Sequence, residues 1–150
     1  MFIIRQMQLE DVDALADMEI GIAEISFGDG AIRDAEFHKK RILSAFMKDP
    51  GGMLVLEYGG DALGWLWMDK RENYLTGECY INFRSFYISE KIRGQGQTEA
   101  LLRKGLEYCK SVNAERITGK VHADNLPMRA IYKSLGFKPT HITMEMETRE

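Results

Sequence analysis

Apolar and polar positions follow two different periods along the first third of the chain. Residues 2–7 are mostly apolar and include β-branched side chains, which predicts a strand. Apolar residues then recur every three or four positions, which predicts a helix whose buried stripe contains Val12, Leu15, Met18 and Ile22. The run Gly28-Asp29-Gly30 interrupts this pattern, and a second helix is predicted over residues 34–47.

The centre of the chain has the pattern of a β-hairpin. Met53–Tyr58 and Ala62–Met68 are apolar runs of strand length, and Gly59-Gly60-Asp61 between them predicts a tight turn. Residues 69–77 are polar and are predicted to form a loop. The hairpin therefore predicts an antiparallel arrangement for this part of the sheet.

Strands and helices alternate in the second half of the chain. The pattern predicts a strand, a helix, a strand and a helix over residues 80–88, 97–111, 116–122 and 126–135. Asn125 or Asp124 is placed to cap the last helix, and Gly136 to end it. Residues 137–138 and 141–147 are predicted to supply the last strand. The element order predicts a single-domain mixed α/β fold over residues 1–150, with an antiparallel first half and crossovers in the second.

Composition narrows the class of protein. The chain has 150 residues, of which 45% are hydrophobic and 29% are charged, as in soluble globular proteins. Its net charge of -3 argues against general nucleic-acid binding, and the basic run Lys39-Lys40-Arg41 is interpreted as a solvated helix face. No apolar run reaches the length of a transmembrane span, which predicts a cytoplasmic protein with no membrane partner. Cys79 and Cys109 lack metal-site spacing, so we predict no metal and two reduced, buried cysteines.

The segment Arg93-Gly94-Gln95-Gly96-Gln97-Thr98 joins a predicted strand to a predicted helix. The unpaired N–H groups and the dipole of a helix N-terminus favour an anion, and glycine allows a ligand to approach the backbone closely. Arg93 could add a charged contact. The pattern is typical of a pyrophosphate site, although structural turns also use two glycines.

Two common nucleotide-binding loops are excluded by the residues of this segment. A dinucleotide-binding fingerprint requires a third glycine or alanine three positions after Gly96, where Glu99 stands. A Walker A loop requires the sequence Gly-Lys-Ser/Thr, which the segment lacks. Any phosphate that binds here therefore belongs to another class of ligand.

Three regions resemble the GNAT superfamily of acyl-CoA N-acyltransferases. Arg93–Thr98, followed by Ala-Leu-Leu, is similar to the family pattern Q/R-x-x-G-x-G/A before a helix, with Thr98 at the position that is usually Gly or Ala. Residues 125–137 are similar to the pattern N-x-x-A-x-x-x-Y-x-x-x-G-F, with Met128 at the position of the alanine. Ile4-Arg5, Asp11 and Leu15 resemble a common but weaker opening of the family.

The resemblance implies a fold, a cofactor and a set of site residues. The strand ending Phe86-Tyr87-Ile88 would splay from the strand over residues 116–122, and the arm of acetyl-CoA would lie between them and bond the backbone near Ile88. The backbone N–H groups from Arg93 to Thr98 would hold the pyrophosphate, and Asn125 would contact the cofactor arm. The family-implied residues in this cofactor site are Phe86, Tyr87, Ile88, Arg93, Gly94, Gln95, Gly96, Gln97, Thr98, Asn125 and Tyr132.

The implied reaction is the transfer of an acetyl group from acetyl-CoA to a primary amine, by direct attack in a ternary complex. Tyr132 matches the family's general acid, and an ordinary tyrosine pKa of about 10 keeps it protonated at neutral pH; the alternative role is packing. Glu78 is a candidate general base, whereas Asn82 and Arg84 cannot serve as one. An ordered water is also open as the base.

The acceptor would be a small-molecule or peptide amine bound near the first two helices and the loop at residues 69–77. Acidic side chains there would attract a cationic amine, although a solvated acidic surface is an equal alternative; they are Glu19, Glu24, Asp29, Asp34, Glu72 and Glu78. Trp65 and Trp67 lie on one strand face, where core packing is preferred over a role in the pocket.

Thr98 and the missing base leave a second function open, a catalytically degenerate module that binds or senses acyl-CoA. A structural protein without cofactor is a third. Dimers occur in the family, so a homodimer is among the states that the resemblance implies.

Overall fold

A computed structural model of the chain describes residues 1–149, which form two compact units. Among the described residues, the unit Met1–Lys120 contains strands β1 (Phe2–Gln6), β2 (Met53–Tyr58), β3 (Asp61–Glu72), β4 (Cys79–Ile88) and β5 (Ile117–Gly119), and helices α1 (Val12–Phe27), α2 (Ala35–Lys48) and α3 (Gln97–Ser111). The unit that begins at Val121 contains helix α4 (Leu126–Ser134).

The five strands form one sheet in the order β1-β2-β3-β4-β5. The pairs from β1 to β4 are antiparallel, and β4 pairs with β5 in parallel. Gly59 and Gly60 have φ angles of 61° and 89°, as a type I′ hairpin turn requires at both central positions. The predicted mixed α/β fold with an antiparallel first half is confirmed.

β3 is longer than its polar end suggested. Residues 69–72 were predicted to be loop, but they pair with the beginning of β4, from Asp69 opposite Asn82 to Glu72 opposite Cys79. Cross-strand pairing thus overrides the polar composition of this segment. The loop is shorter as a result, and Asn73 organises it by accepting the N–H of Leu75 at 2.9 Å.

β4 parts from its neighbour β5 halfway along its length. β5 pairs only with Ile81–Phe83, and beyond Phe83 no strand within residues 1–149 pairs with this edge of β4. A bulge lies at the same point, since Trp67 is opposite Ser85 and Met68 is opposite Phe83, which leaves Arg84 as the additional residue. The splayed central strands are confirmed, although β5 is shorter than the predicted strand at residues 116–122.

The two faces of the sheet are covered by different helices. α1 and α2 pack over a core that includes Leu15, Ile42, Trp65 and Trp67, and the tryptophans are 0% and 2% exposed. α3 covers the other face through Gly105, where an added Cβ would lie only 3.3 Å from Met68 and Phe83. The packing interpretation of both tryptophans is therefore correct.

The second unit contains the predicted helix but not the predicted final strand. Asn125 caps α4 by accepting the N–H of Met128 at 3.2 Å, and Gly136 follows its end with a φ of 97°. The prediction of strand at residues 137–138 and 141–147 is wrong, because the described residues after α4 form none. The alternating residues Ile142, Met144 and Met146 are more than four-fifths exposed, and a strand without a pairing partner is not stable.

The cysteines differ in environment. Cys109 is buried, as predicted, and burial raises the pKa of its thiol to about 11. Cys79 is exposed, so the prediction that it is buried is wrong. Its position as the first residue of β4, at the rim of the sheet, accounts for the exposure.

Candidate functional site

The segment at residues 93–98 folds as a loop that glycine is required to form. Gly94 and Gly96 both have φ of 80°, a backbone conformation that other residues adopt only with strain. Gly96 is the N-cap of α3, and a Cβ added at either glycine would meet nothing within 4 Å. A ligand can therefore approach the backbone closely at both glycines, where no side chain is in the way.

The backbone N–H groups of residues 94–99 form what we call the amide cradle. None of them donates to another group within residues 1–149, and the regular ladder of α3 begins with Ala100 donating to the carbonyl of Gly96 at 3.3 Å. Six unpartnered donors at the positive end of a 15-residue helix are suited to bind a phosphate or pyrophosphate. The half-buried Thr98 hydroxyl is also without a partner in the described chain.

Arg93 holds the end of β4 rather than pointing freely from the loop. Its Nε donates to the carbonyl of Ile88 at 2.8 Å, and its Nη1 lies 3.6 Å from Glu90. Its guanidinium also lies 5.7 Å from the ring centre of Tyr87. A phosphate contact from Arg93 therefore requires its side chain to exchange these partners, and this role stays a prediction.

The end of β4 offers a free strand edge next to the amide cradle. The carbonyl of Tyr87 faces β3, because it lies 2.9 Å from where a Cβ of Gly64 would be. Backbone groups alternate in direction along a strand, so those of Phe86 and Ile88 face the edge that β5 leaves unpaired. This edge can form hydrogen bonds with the amide groups of an extended ligand. The strand edge fits the arm of CoA, and the amide cradle fits its pyrophosphate.

The carboxylate of Glu19 lies between α1 and the sheet and forms no ion pair within residues 1–149. Glu19 accepts the hydroxyl of Ser85 at 2.9 Å and the indole N–H of Trp65 at 3.3 Å. Burial raises the pKa of Glu19, and the two hydrogen bonds and the charges of His38 and Arg84 offset part of this effect. Ser85 lies at the bulge where β4 leaves β5, so Glu19 reaches the sheet where the free edge begins.

The polar side chains on β4 and just before it are occupied by other interactions. Glu78 precedes the strand and bridges Arg116 at 2.7 Å, and Asn82 accepts the hydroxyl of Thr118 at 2.9 Å. Arg84 stacks on the ring of Trp67 at 3.8 Å. Other acidic residues expected in an acceptor pocket serve local structure: Glu24 pairs with Arg33 and Asp34 caps α2.

Tyr132 in the second unit combines a buried ring with an accessible hydroxyl. The residue is 8% exposed, and its ring packs at 4.9 Å on Phe137. Its hydroxyl has no hydrogen-bond partner within the described residues. Every fully buried side-chain nitrogen or oxygen atom in those residues does have a partner, so the Tyr132 oxygen must be accessible to solvent. Burial raises the pKa of Tyr132 to about 12. The hydroxyl is therefore a proton donor at neutral pH.

Asn125 and His122 lie in the same unit. Asn125 uses its side-chain oxygen to cap α4, while its amide nitrogen bonds no group in the described chain. A contact with the cofactor arm through that nitrogen stays a prediction. His122 is exposed and accepts the N–H of Asp124 at 3.1 Å, which supports a structural role for this histidine.

Comparison with known proteins now identifies the family. The model of the acetyltransferase (GNAT) family matches residues 14–137. The chain belongs to this family. A protein from Bacillus subtilis (strain 168), named "Putative ribosomal protein bS18-alanine N-acetyltransferase", is 27% identical over 139 residues, which are 91% of this chain and 80% of that protein.

Two further comparisons show how far the likeness extends. The mycothiol acetyltransferase of Corynebacterium glutamicum (strain R) is 30% identical over 62% of this chain, which matches only 31% of that protein. A crystal structure described as a transcriptional regulator from Bacillus halodurans C-125 has a TM-score of 0.79 at 21% identity, with 98% of this chain and 99% of that one covered. At this identity the structural likeness shows the fold alone.

Within residues 1–149, no helix is of a length and apolarity that would span a membrane, and no group of three or more His, Cys, Asp or Glu side chains is placed to hold a metal ion.

The sequence reasoning did not distinguish Glu19 from the other acidic residues. A signal was present, because Glu19 falls between Leu15 and Ile22 on the apolar stripe of α1. A carboxylate on the stripe that faces the core must be paired or functional, whereas Glu24 on the same helix is exposed.

Proposed function

We propose that this protein is an N-acetyltransferase that moves an acetyl group from acetyl-CoA to a primary amine by direct attack in a ternary complex. The observation that carries the proposal is the amide cradle at residues 94–99, which opens beside the unpaired edge of β4. Membership of the acetyltransferase family and the names of the relatives support the same reaction.

Different residues would hold different parts of acetyl-CoA, which supplies the activated acetyl group and a thiolate leaving group. The amide cradle, with Gln95, Gln97 and Thr98, would bind the pyrophosphate. The backbone groups of Phe86 and the N–H of Ile88, which face the unpaired edge of β4, would bind the extended arm, and Asn125 would donate from its amide. Because Thr98 begins a helix turn with a free hydroxyl, we infer that it bonds a phosphate oxygen rather than weakening the site.

Two side chains of the protein would move the protons. An ammonium group cannot attack, so the amine must lose a proton, and Glu19 is the carboxylate placed to accept it at the bulge of β4. The carbon–nitrogen bond then forms and the carbon–sulfur bond breaks. Tyr132 would donate its hydroxyl proton to the departing sulfur. Its pKa of about 12 keeps the hydroxyl protonated at neutral pH until the carbon–sulfur bond breaks.

The experiment that tests this function combines binding and turnover. CoA binding is measured by calorimetry, and thiol release from acetyl-CoA is followed across a panel of primary amines. We expect CoA binding and amine-dependent thiol release. Binding of CoA without turnover of any amine would favour the degenerate acyl-CoA-binding module, and absence of CoA binding would contradict both functions.

A further inference from the structure

A cleft of about 590 Å³ lies between α2 and the strands β3 and β4, and its walls are basic. Five cationic side chains from these three elements line it: Lys40, Arg41, Lys48, Lys70 and Arg84. The acidic residues of its lining are Asp49 and Asp69. We call this region the basic cleft. Its charge is opposite in sign to the net charge of -3 of the whole chain, so the cleft is a local site of positive potential.

The two carboxylates of the basic cleft contact only two of its five cations, Lys70 and Arg84, and both contacts are long. Asp49 accepts the N–H of Gly51 at 3.1 Å and lies 3.8 Å from Lys70. Asp69 bonds Arg71 at 3.2 Å, so Arg84 is left with a distant contact of 3.8 Å to the same carboxylate. These carboxylates are already engaged by other groups.

Arg41 and Arg84 are the pair of cations best placed to share a ligand. Arg41 forms no ion pair or hydrogen bond within the described residues, and its guanidinium lies 5.5 Å from the ring centre of Phe37. Arg84 is half-buried and held flat on Trp67. Burial, followed by the charge of Arg41, lowers the pKa of Arg84. Two guanidinium groups that repel each other in a cleft are stabilised when an anion binds between them.

Arg84 also connects the basic cleft to the proposed proton acceptor. It is the additional residue of the β4 bulge and directly precedes Ser85, whose hydroxyl donates to Glu19. The charge of Arg84 favours the ionised form of Glu19, and the charge of Glu19 favours the ionised form of Arg84. A ligand that spans them meets a carboxylate at one end and guanidinium groups at the other.

We propose that the basic cleft binds an oxyanion of the acceptor, and that the acceptor is therefore a primary amine carrying a carboxylate or phosphate group. This inference rests on the proposed acetyltransferase function. Arg41 and Arg84 hold the anionic group, which places the amine toward Glu19. This bipolar site differs from the acidic pocket for a cationic amine that the sequence suggested, and it gives Arg41 a function beyond that of a solvated helix face.

Anion binding is tested first without catalysis, in the Gly96→Val variant, so that phosphate does not bind the amide cradle. Inorganic phosphate and acetate are titrated by NMR or calorimetry, and then again after adding Arg41→Gln or Arg84→Gln. Each arginine change is expected to weaken anion binding roughly tenfold or more, the loss of a charge-assisted bond. Arg103→Gln, which removes an exposed arginine on α3, is the matched control and is expected to have no effect.

Selectivity is tested next with matched acceptors: β-alanine against β-alaninamide for the carboxylate, and phosphoethanolamine against ethanolamine for the phosphate. The anionic member of at least one pair is expected to have the higher kcat/KM, and Arg41→Gln to reduce that ratio roughly tenfold. Arg84→Lys keeps the charge but loses the planar fork, and is expected to restore the ratio only in part.

Three results would overturn the proposal: no anion binding in the Gly96→Val protein, equal anion affinity with and without Arg41, or a loss of CoA affinity in Arg41→Gln of the same size as the loss of anion affinity. The last would assign the basic cleft to the cofactor. A protein that binds anions through Arg41 but never consumes acetyl-CoA would instead contradict only the acetyltransferase function.

Discussion

The amide cradle and the polar cluster of Glu19, Ser85 and Trp65 both lie in the first compact unit, but they are built in different ways. The cradle is six consecutive residues whose chemistry comes from backbone N–H groups. The Glu19 cluster joins side chains from α1, β3 and β4, which are up to 66 positions apart in the chain. The first is a local structure, and the second exists only after the sheet and α1 have packed.

This difference predicts a difference in function. Backbone donors at a helix N-terminus bind an anion whatever the reaction, so the cradle should control cofactor affinity. A half-buried carboxylate and the accessible hydroxyl of a buried tyrosine can exchange protons with a substrate, so Glu19 and Tyr132 should control the rate. Substitutions that separate affinity from rate therefore test the comparison directly.

The largest expected effect is from Tyr132→Phe. Removing the hydroxyl should lower kcat by roughly a hundredfold to ten-thousandfold, the usual contribution of a general acid, while the Kd for CoA stays within about twofold. Steady-state kinetics and calorimetry measure the two quantities. Tyr58→Phe, which removes the hydroxyl of an exposed tyrosine on β2, is the matched control. A wild-type kcat in Tyr132→Phe would leave this residue with a packing role alone.

Glu19→Gln should have the next largest effect, a decrease in kcat/KM of roughly a hundredfold. Only the ionised carboxylate accepts a proton, and burial raises the pKa of Glu19, so wild-type activity should rise with pH over a range above the ordinary glutamate value. This rise of activity with pH, the acidic limb of the pH–rate profile, should be absent in Glu19→Gln. Glu24→Gln, on the same helix, should keep it. An unchanged limb in Glu19→Gln would assign it to another group.

Gly96→Val should weaken CoA binding by roughly tenfold to a hundredfold, because the cradle loses its geometry and two or more charge-assisted bonds. Gly59→Val is the control for backbone strain, since Gly59 also has a positive φ of 61° and open space at its Cβ position. Calorimetry with CoA measures both variants. Equal affinity in a folded Gly96→Val protein would exclude the cradle as the phosphate site.

The smallest expected effect is on stability. The pKa of Glu19 is higher in the folded than in the unfolded protein, so the folded state binds more protons between these two values. Wild-type stability should therefore decrease as pH rises through that range. Glu19→Gln lacks this loss, so its Tm relative to wild type should increase as the pH rises above the ordinary glutamate pKa. Thermal unfolding measures the difference, and a Tm gap that does not change with pH would show that Glu19 ionises normally.

The sequence by itself determined the order of the elements and the local structures. The hairpin at Gly59-Gly60, the start of α3 at Gln97 and the cap of α4 at Asn125 were all predictable, because each depends on a few neighbouring residues. The cradle belongs to the same class, since two glycines before an amphipathic helix specify it.

Tertiary structure alone decided which of the candidate side chains meet. Residues 69–72 became strand because β4 pairs with them, and residues 141–147 did not because no strand pairs with them. Glu19 differs from Glu24, and Arg41 from Lys39, only through what packs against each side chain. Burial and pairing between distant segments set these environments, and the local pattern of residues does not contain that information.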